Sequence, residues 1–132
     1  VEMAASEIAF ELRHNMIIVV VAVNGLALPM IVDTGAGRTI ISEPAAANMG
    51  LSQQADACTA TGAGGDISLS SVHLDSMRVG SASRTAFECL TMDMADLHAK
   101  IGDDIEGILG FDFLSQFRVT IDYPARLLRF SG

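Results

Sequence analysis

Ile31-Val32-Asp33-Thr34-Gly35-Ala36-Gly37 is the stretch that decides how the chain is read. The apolar run from Leu28 to Val32 has the look of a buried strand, and it delivers an aspartate directly into a tight turn of small residues. A charge at that place is costly unless donors or a second ionisable group accommodate it, so Asp33 is a functional-site candidate on physical grounds. Asp-Thr-Gly fits equally an aspartate that opens a turn and caps its own backbone. Support has to come from the rest of the chain.

Working outward, most regular signals have a period near two or form short apolar runs. Ile8 to Leu12, Met16 to Val23, Ala27 to Val32, Ile67 to Leu74, Ala86 to Met92, Val119 to Ile121 and Leu127 to Phe130 read as strands. Turn residues separate them at Arg13-His14-Asn15, Asn24-Gly25, Gly62 to Asp66, Gly80-Ser81 and Tyr123-Pro124-Ala125. Asn24-Gly25 is the clearest hairpin, because both residues tolerate the positive φ of a type I′ turn. A short helix is expected from Glu43 to Met49, capped by Ser42, with Pro44 in its first turn and Gly50 at its end. A second is expected from Phe111 to Phe117, where Phe113, Leu114 and Phe117 have helical spacing, and a single helical turn is expected around Asp93 to His98. The composition has no break, so the reading is one mainly β domain over residues 1–132 with a helix near its C-terminus.

Composition narrows the function classes. The 132 residues are enough for one core, half of them are apolar and 18% are charged, which is a globular composition built from aliphatic side chains. A formal charge of −8 with no local cluster of Lys or Arg disfavours nucleic acid as a partner. The eight-residue apolar run Met16 to Val23 falls short of the roughly 20 residues a membrane helix requires, so no membrane insertion by this segment is expected. The chain starts at Val1, so a signal peptide, anchor or domain upstream is an open expectation, and a periplasmic or membrane-tethered setting is favoured over a cytoplasmic one. Cys58 and Cys89 are too few for a zinc site or disulfide framework and are read as two buried free thiols, with a single bridge between them as the alternative.

The second decisive element is Gly107-Ile108-Leu109-Gly110, followed by the expected helix at Phe111. With Ile31-Val32-Asp33-Thr34-Gly35-Ala36 and the Gly-rich segment between, the chain resembles the retropepsin-like aspartic proteases over nearly its whole length. The likeness is to the bacterial branch, on Val23-Asn24-Gly25 leading to Asp-Thr-Gly-Ala and on Phe113-Leu114, Arg118-Val119-Thr120-Ile121-Asp122-Tyr123 and Leu127 near the end. The resemblance implies a closed β-barrel of the acid-protease type with one C-terminal helix.

It also implies a chemistry. Peptide hydrolysis in that family uses two carboxylates, one taking a proton from water while the other, protonated, polarises the scissile carbonyl. Like charges so close cannot both ionise, so the pair shares a proton. Only one Asp-Thr-Gly occurs here, so the second carboxylate is expected from Asp33 of an identical chain in a homodimer. Asp33, Thr34 and Gly35 are then the catalytic turn, with Thr34 hydrogen-bonding across the dimer axis and Gly35 leaving room for water and substrate backbone. The Gly-rich segment from Thr59 to Gly65 takes the place of a flap, and Ala36, Thr61, Gly62, Ala63, Gly64 and Ile108 are expected to contact a polypeptide substrate. Read without the resemblance, that segment is an ordinary Gly-rich turn.

Some features depart from the pattern or speak for other readings. Many retroviral relatives have Arg where this chain has Phe111, and Asp112 is left either to pair with another arginine or to cap the helix. Asp103, Asp104 and Glu106 read as a solvated acidic face, so neither a metal nor any other cofactor is assigned. The histidines His14, His73 and His98 are scattered, and no Gly-x-Ser-x-Gly elbow occurs. A peptide-binding module without turnover and one repeat of a longer two-lobed protease are the rival readings.

Ala36 stands where relatives carry Ser or Ala. A serine hydroxyl there would donate to the ionised carboxylate, and alanine cannot. Ala36→Ser should therefore move the acid limb of the pH–rate profile downward. A limb that stays in place would contradict the assignment of Ala36 beside the reacting carboxylate.

Overall fold

The computed structural model describes residues 6–51, 59–62, 65–68 and 70–131, with backbone alone for 59–62 and 65–68. Its framework starts with β1 (Ser6–Ala9), β2 (Glu11–Arg13), β3 (Met16–Val23) and β4 (Leu26–Val32). Asn24 and Gly25, at φ 50° and 85°, turn β3 directly into β4 as the sequence predicts. Next come β5 (Ile40–Ser42), α1 (Glu43–Asn48), the hairpin β6 (Thr59–Gly62) and β7 (Gly65–Ser68), and the long pair β8 (Ser70–Val79) and β9 (Ala82–Met92). The chain ends with α2 (Ala95–Ile101), β10 (Gly107–Leu109), α3 (Phe111–Leu114), β11 (Arg118–Asp122) and β12 (Leu127–Ser131).

Six of these strands close a mixed barrel in the order β3-β4-β10-β5-β9-β8, and β8 returns to β3 through the pairs Ala22↔Arg78 and Val23↔Met77. Two neighbours are parallel, β4 with β10 and β5 with β9, and such pairs need crossovers rather than hairpins. β10 accordingly enters between β4 and β5 from far along the chain, parallel to the first and antiparallel to the second. β2 extends the barrel sheet beyond β3, while β1, β12 and β11 form a separate three-stranded sheet.

Alternation decides the core. Val19, Val21 and Val23 of β3 and Leu28 and Met30 of β4 are buried together with Ile41, Leu74, Met77, Val79, Leu109 and Phe113. Phe113 meets Phe87 edge-on with ring centroids 6.1 Å apart and lies 5.1 Å from Phe117, which in turn meets Phe130 at 6.1 Å. This line of rings joins α3 to both sheets, and each edge-to-face pair adds about 1 kcal/mol to the burial itself.

The expectation of a mainly β barrel is met, but the single C-terminal helix is corrected to three short helices among the described residues, with α3 followed by two more strands. α1 is where Ser42 predicts it: the Ser42 hydroxyl accepts from Ala45 N–H at 3.1 Å, and Gly50 ends the turn at φ 69°. α3 stops at Leu114 instead of reaching Phe117, because the chain must turn at once into β11. α2 is longer than the turn expected there, since Leu97 and Ile101, one helical repeat apart, share an apolar surface. The strand expected from Ile8 to Leu12 is two strands. Phe10 divides them, buried and donating its N–H to the Arg126 carbonyl at 2.9 Å, where the chain passes from one sheet to the other. Of the strand expected from Ile67 to Leu74, Ile67 and Ser68 are strand in β7 and Ser70 to Leu74 are strand in β8, while Leu69 lies outside the described residues.

The glycines bracketing β10 have a steric reason to be there. A Cβ on Gly107 would come 2.6 Å from the Ile40 carbonyl oxygen, and one on Gly110 would come 2.7 Å from the Arg38 carbonyl carbon and oxygen. Backbone crowds both positions and cannot be rotated away. Gly110→Ala should destabilise the protein by about 3 kcal/mol in urea unfolding, whereas Gly37→Ala, in open space, should cost less than about 1 kcal/mol. Equal losses at the two positions would contradict this account of β10.

Candidate active site

The Asp33 turn is held from behind by the β10 segment. Asp33 N–H donates to the Leu109 carbonyl at 3.0 Å, Ala36 N–H to the Asp33 carbonyl at 3.2 Å, and Phe111 N–H to the Ala36 carbonyl at 2.7 Å. Backbone therefore fixes both ends of the turn and leaves the carboxylate free of packing. Gly35 N–H donates to Asp33 Oδ1 at 2.9 Å, which is the local cap that Asp-x-Gly sequences offer. The cap and a chemical role thus coexist in one residue.

A second layer holds the clamp. Thr39 is fully buried; its hydroxyl donates to Asp112 Oδ1 at 2.7 Å and accepts from Gly110 N–H at 3.0 Å. Thr39 N–H reaches both Asp112 oxygens, at 2.9 and 3.0 Å, and Phe113 N–H reaches Oδ1 at 2.9 Å. Arg38 Nε lies 3.5 Å from Oδ2. Asp112 thus both caps α3 and pairs with an arginine, so the two alternatives left by the sequence hold together.

Asp33, Thr34 and Gly35 are exposed in the single chain and Ala36 is half-buried. β4 runs out at the end of the barrel, so in the single chain the charge emerges into solvent. Beside it lies a hollow of about 260 Å³ lined by Asn15, Met16, Ile17, Ile31, Val32, Asp33 and Tyr123. Met16 and Tyr123 are 39% and 52% exposed, an apolar rim around a carboxylate. Ile108 is half-buried on β10, in register with Ile31, and does not line the hollow. Thr61 pairs with Asp66 and Gly62 with Gly65 in the β6–β7 hairpin, while Ala63 and Gly64 lie outside the described residues. Cys58 lies outside them too.

Asn15, Met16, Ile17 and Tyr123 were not singled out by the sequence as site residues, and neither was Thr39. The first three read as a turn and a strand start; Tyr123 read as part of a turn. It was marked only as part of the resemblance, in the run Arg118 to Tyr123, and the ring packs edge-on against Phe10 with centroids 6.1 Å apart.

One wall of the hollow is backed by α2. Ile31 and Ile18 are buried under Leu97, Ile101 and Ile105. Arg13 fastens this cover to β2: Nη1 donates to Asp104 at 2.7 Å and to the Ile101 carbonyl at 3.4 Å, and Nη2 reaches Glu11 at 2.8 Å. The Arg13 hydrogen bond holds the Asp104 carboxyl below its usual range, and both acids push the Arg13 guanidinium up. Glu106 is likewise structural, accepting from the Ser42 hydroxyl. Burial, reinforced by Asp112, pushes the Cys89 thiol up to about 12, which makes it a poor nucleophile.

The sequence model of the family described as Aspartyl protease matches residues 19–113, which include the Asp33 turn and β10. The fold is similar to that of a retropepsin-like aspartic protease from Rickettsia conorii, with TM-score 0.69 and 22% identity over 96% of this chain and 98% of that one. It is also similar to EIAV protease complexed with an inhibitor, with TM-score 0.59 and 18% identity over 75% of this chain and 85% of that one. The retroviral protease-like domain of Ddi1 from Leishmania major gives TM-score 0.56 and 18% identity over 86% of each chain. In sequence, the chain is 31% identical to DNA damage-inducible protein 1 of Yarrowia lipolytica over 114 residues. Those cover 84% of this chain and 26% of that protein, so the chain spans about a quarter of its length.

The Arg13–Asp104 fastening has a definite pH sense. A carboxylate whose folded value is lowered contributes above its ordinary range, and the contribution is lost as pH falls through the lowered value. On acidification, α2 amides should lose hydrogen-exchange protection before those of the barrel strands. Asp104→Asn should expose them already at neutral pH and abolish the step. Protection of α2 that ignores both pH and the variant would contradict the fastening.

Proposed function

Because the chain belongs to the aspartyl protease family and has the retropepsin-like fold, we propose that it is an aspartic endopeptidase whose site is completed by a second copy of itself. One observation carries this reading. The sequence has a single Asp-Thr-Gly, and its carboxylate stands exposed at the barrel end on a turn fixed by Leu109, Ala36 and Phe111. A rigid turn presenting an exposed carboxylate is half of what a shared-proton pair requires.

In the proposed reaction two Asp33 side chains, one from each copy, hold a water between them. The ionised one takes a proton from that water, whose oxygen bonds to the scissile carbonyl carbon. The protonated one donates a hydrogen bond to the carbonyl oxygen as it gains charge. The tetrahedral intermediate collapses with cleavage of the C–N bond, and a proton passes to the leaving amine. Water is the nucleophile, so no acyl-enzyme forms, and the reaction requires no cofactor.

On this reading Thr34 hydrogen-bonds across the two-fold axis and Gly35 admits the substrate backbone. Ala36, Ile108 and the β6–β7 hairpin, with Thr61, Gly62, Ala63 and Gly64, contact an extended polypeptide. The apolar rim at Met16 and Tyr123 suits uncharged side chains next to the cut.

The test is cleavage of a diverse peptide mixture from pH 3 to 8, with mass in solution measured alongside. Asp33→Asn should reduce cleavage by about 10³-fold or more while leaving fold and dimer mass unchanged. Cleavage that survives this change removes Asp33 from the mechanism. A wild-type dimer that binds a hydroxyl-bearing peptide analogue yet cuts nothing would make the chain a binding module.

A further inference from the structure

Met16 stands on the face of the sheet that leads to Asp33. Along β3 the odd-numbered residues Ile17, Val19, Val21 and Val23 enter the barrel core, while Ile18 lies on the opposite face with Ile31 and α2. Alternation along a strand puts Met16 on the Ile18 face. Ile18 pairs with Ile31, two residues before Asp33, and across the other edge of β3 Met16 pairs with Arg13. Met16 and Asp33 accordingly line the same hollow of about 260 Å³. We propose that Met16 is an oxidation site, at which a hydroperoxide converts the thioether to a sulfoxide, and that this change weakens apolar binding in the hollow beside Asp33. The effect on binding rests on the protease reading above; the modification itself does not.

The other described sulfur atoms lack this combination of access and place. Met30, Met77 and Met94 are buried, Met49 and Met92 are half-buried, and none of the five lines the hollow. Met16 is exposed and does. Cys89 is buried, and with its thiol pushed up to about 12 it holds almost no thiolate for an oxidant to meet.

The step balances with the hydroperoxide as the only co-reactant. The sulfur lone pair attacks one peroxide oxygen, an S–O bond forms as the O–O bond breaks, and the departing oxygen takes up the proton and leaves as water or an alcohol. Sulfur gives up two electrons and the peroxide accepts them. The product replaces a flexible apolar side chain with a polar, chiral one, and sulfoxide reductases reverse the change. Ile17, Ile31 and Val32 share the lining, so an apolar substrate side chain seated there would meet a sulfoxide that has to shed water to admit it.

The test exposes the protein to hydrogen peroxide in steps and follows sulfoxide at each methionine by peptide mass mapping. Met16 should oxidise at least about tenfold faster than Met30, Met77 and Met94. Amide resonances of Asn15, Ile17, Val32 and Asp33 should shift as the sulfoxide forms, and a methionine sulfoxide reductase should return them. Affinity for a hydroxyl-bearing peptide analogue with apolar side chains should fall about tenfold on oxidation. The affinity of Met16→Leu, whatever its starting value, should not respond to the same treatment. Met16 oxidising no faster than the buried methionines would overturn the site. Equal losses of affinity in wild type and Met16→Leu, or no loss with Met16 fully oxidised, would overturn its effect on the hollow. An unoxidised chain that neither binds the analogue nor cuts peptides would overturn the protease reading and with it the effect on binding, while the mapping and the amide shifts still decide the oxidation site.

Discussion

Everything near Asp33 depends on one partly buried knot of hydrogen bonds, in which Asp112 takes the N–H and hydroxyl of Thr39 while Thr39 takes the N–H of Gly110. The knot joins two pieces of chain that are distant in sequence. One is the loop between β4 and β5, which carries Asp33; the other is the junction of β10 and α3. A carboxylate drawn partly out of water needs donors around it, and here three backbone or hydroxyl donors and the Arg38 guanidinium supply them. Removing the carboxylate would leave Thr39 and Phe113 donors buried without acceptors, a penalty of about 1–3 kcal/mol each. The site is therefore rigid where it is anchored and open where it acts.

The same logic separates Asp112 from Asp33. Both are aspartates in short turns beside β10. Asp112 is surrounded by its donors and works as a structural anion, while Asp33 has a single donor among the described residues, the N–H of Gly35, and faces solvent in the single chain. Sequence order does not distinguish them, but the supply of donors does. α2 adds a third element by burying Ile18 and Ile31, so the strand that leads to Asp33 is covered on its outer face as well as its inner one.

Much of this was legible in the residues because the relevant physics is local. Asn24-Gly25 could only be a tight reversal, Ser42 with Pro44 could only begin a helix, and the alternation in β3 has one reading. The glycines of Gly107-Ile108-Leu109-Gly110 were visible as a motif, but their reason was not, since it lies in the Arg38 and Ile40 backbone that they approach. β5 and β10, three residues each, are too short to show a period, and only their neighbours make them strands. Thr39 looked like any threonine, because its importance comes from a partner 73 residues away. The exposure of Asp33 in the single chain was not legible for a related reason: an apolar run shows that a strand is buried, but not where the barrel ends.

The terminal sheet carries a consequence of its own. β12 lies between β1 and β11 and pairs with both, so the first and last described strands belong to one sheet. The pairing of this sheet is thus made within one molecule. On the proposed reading, assembly of the working pair is second order. A dilute population would then be silent, and crowding would switch it on, with local concentration acting as the regulator.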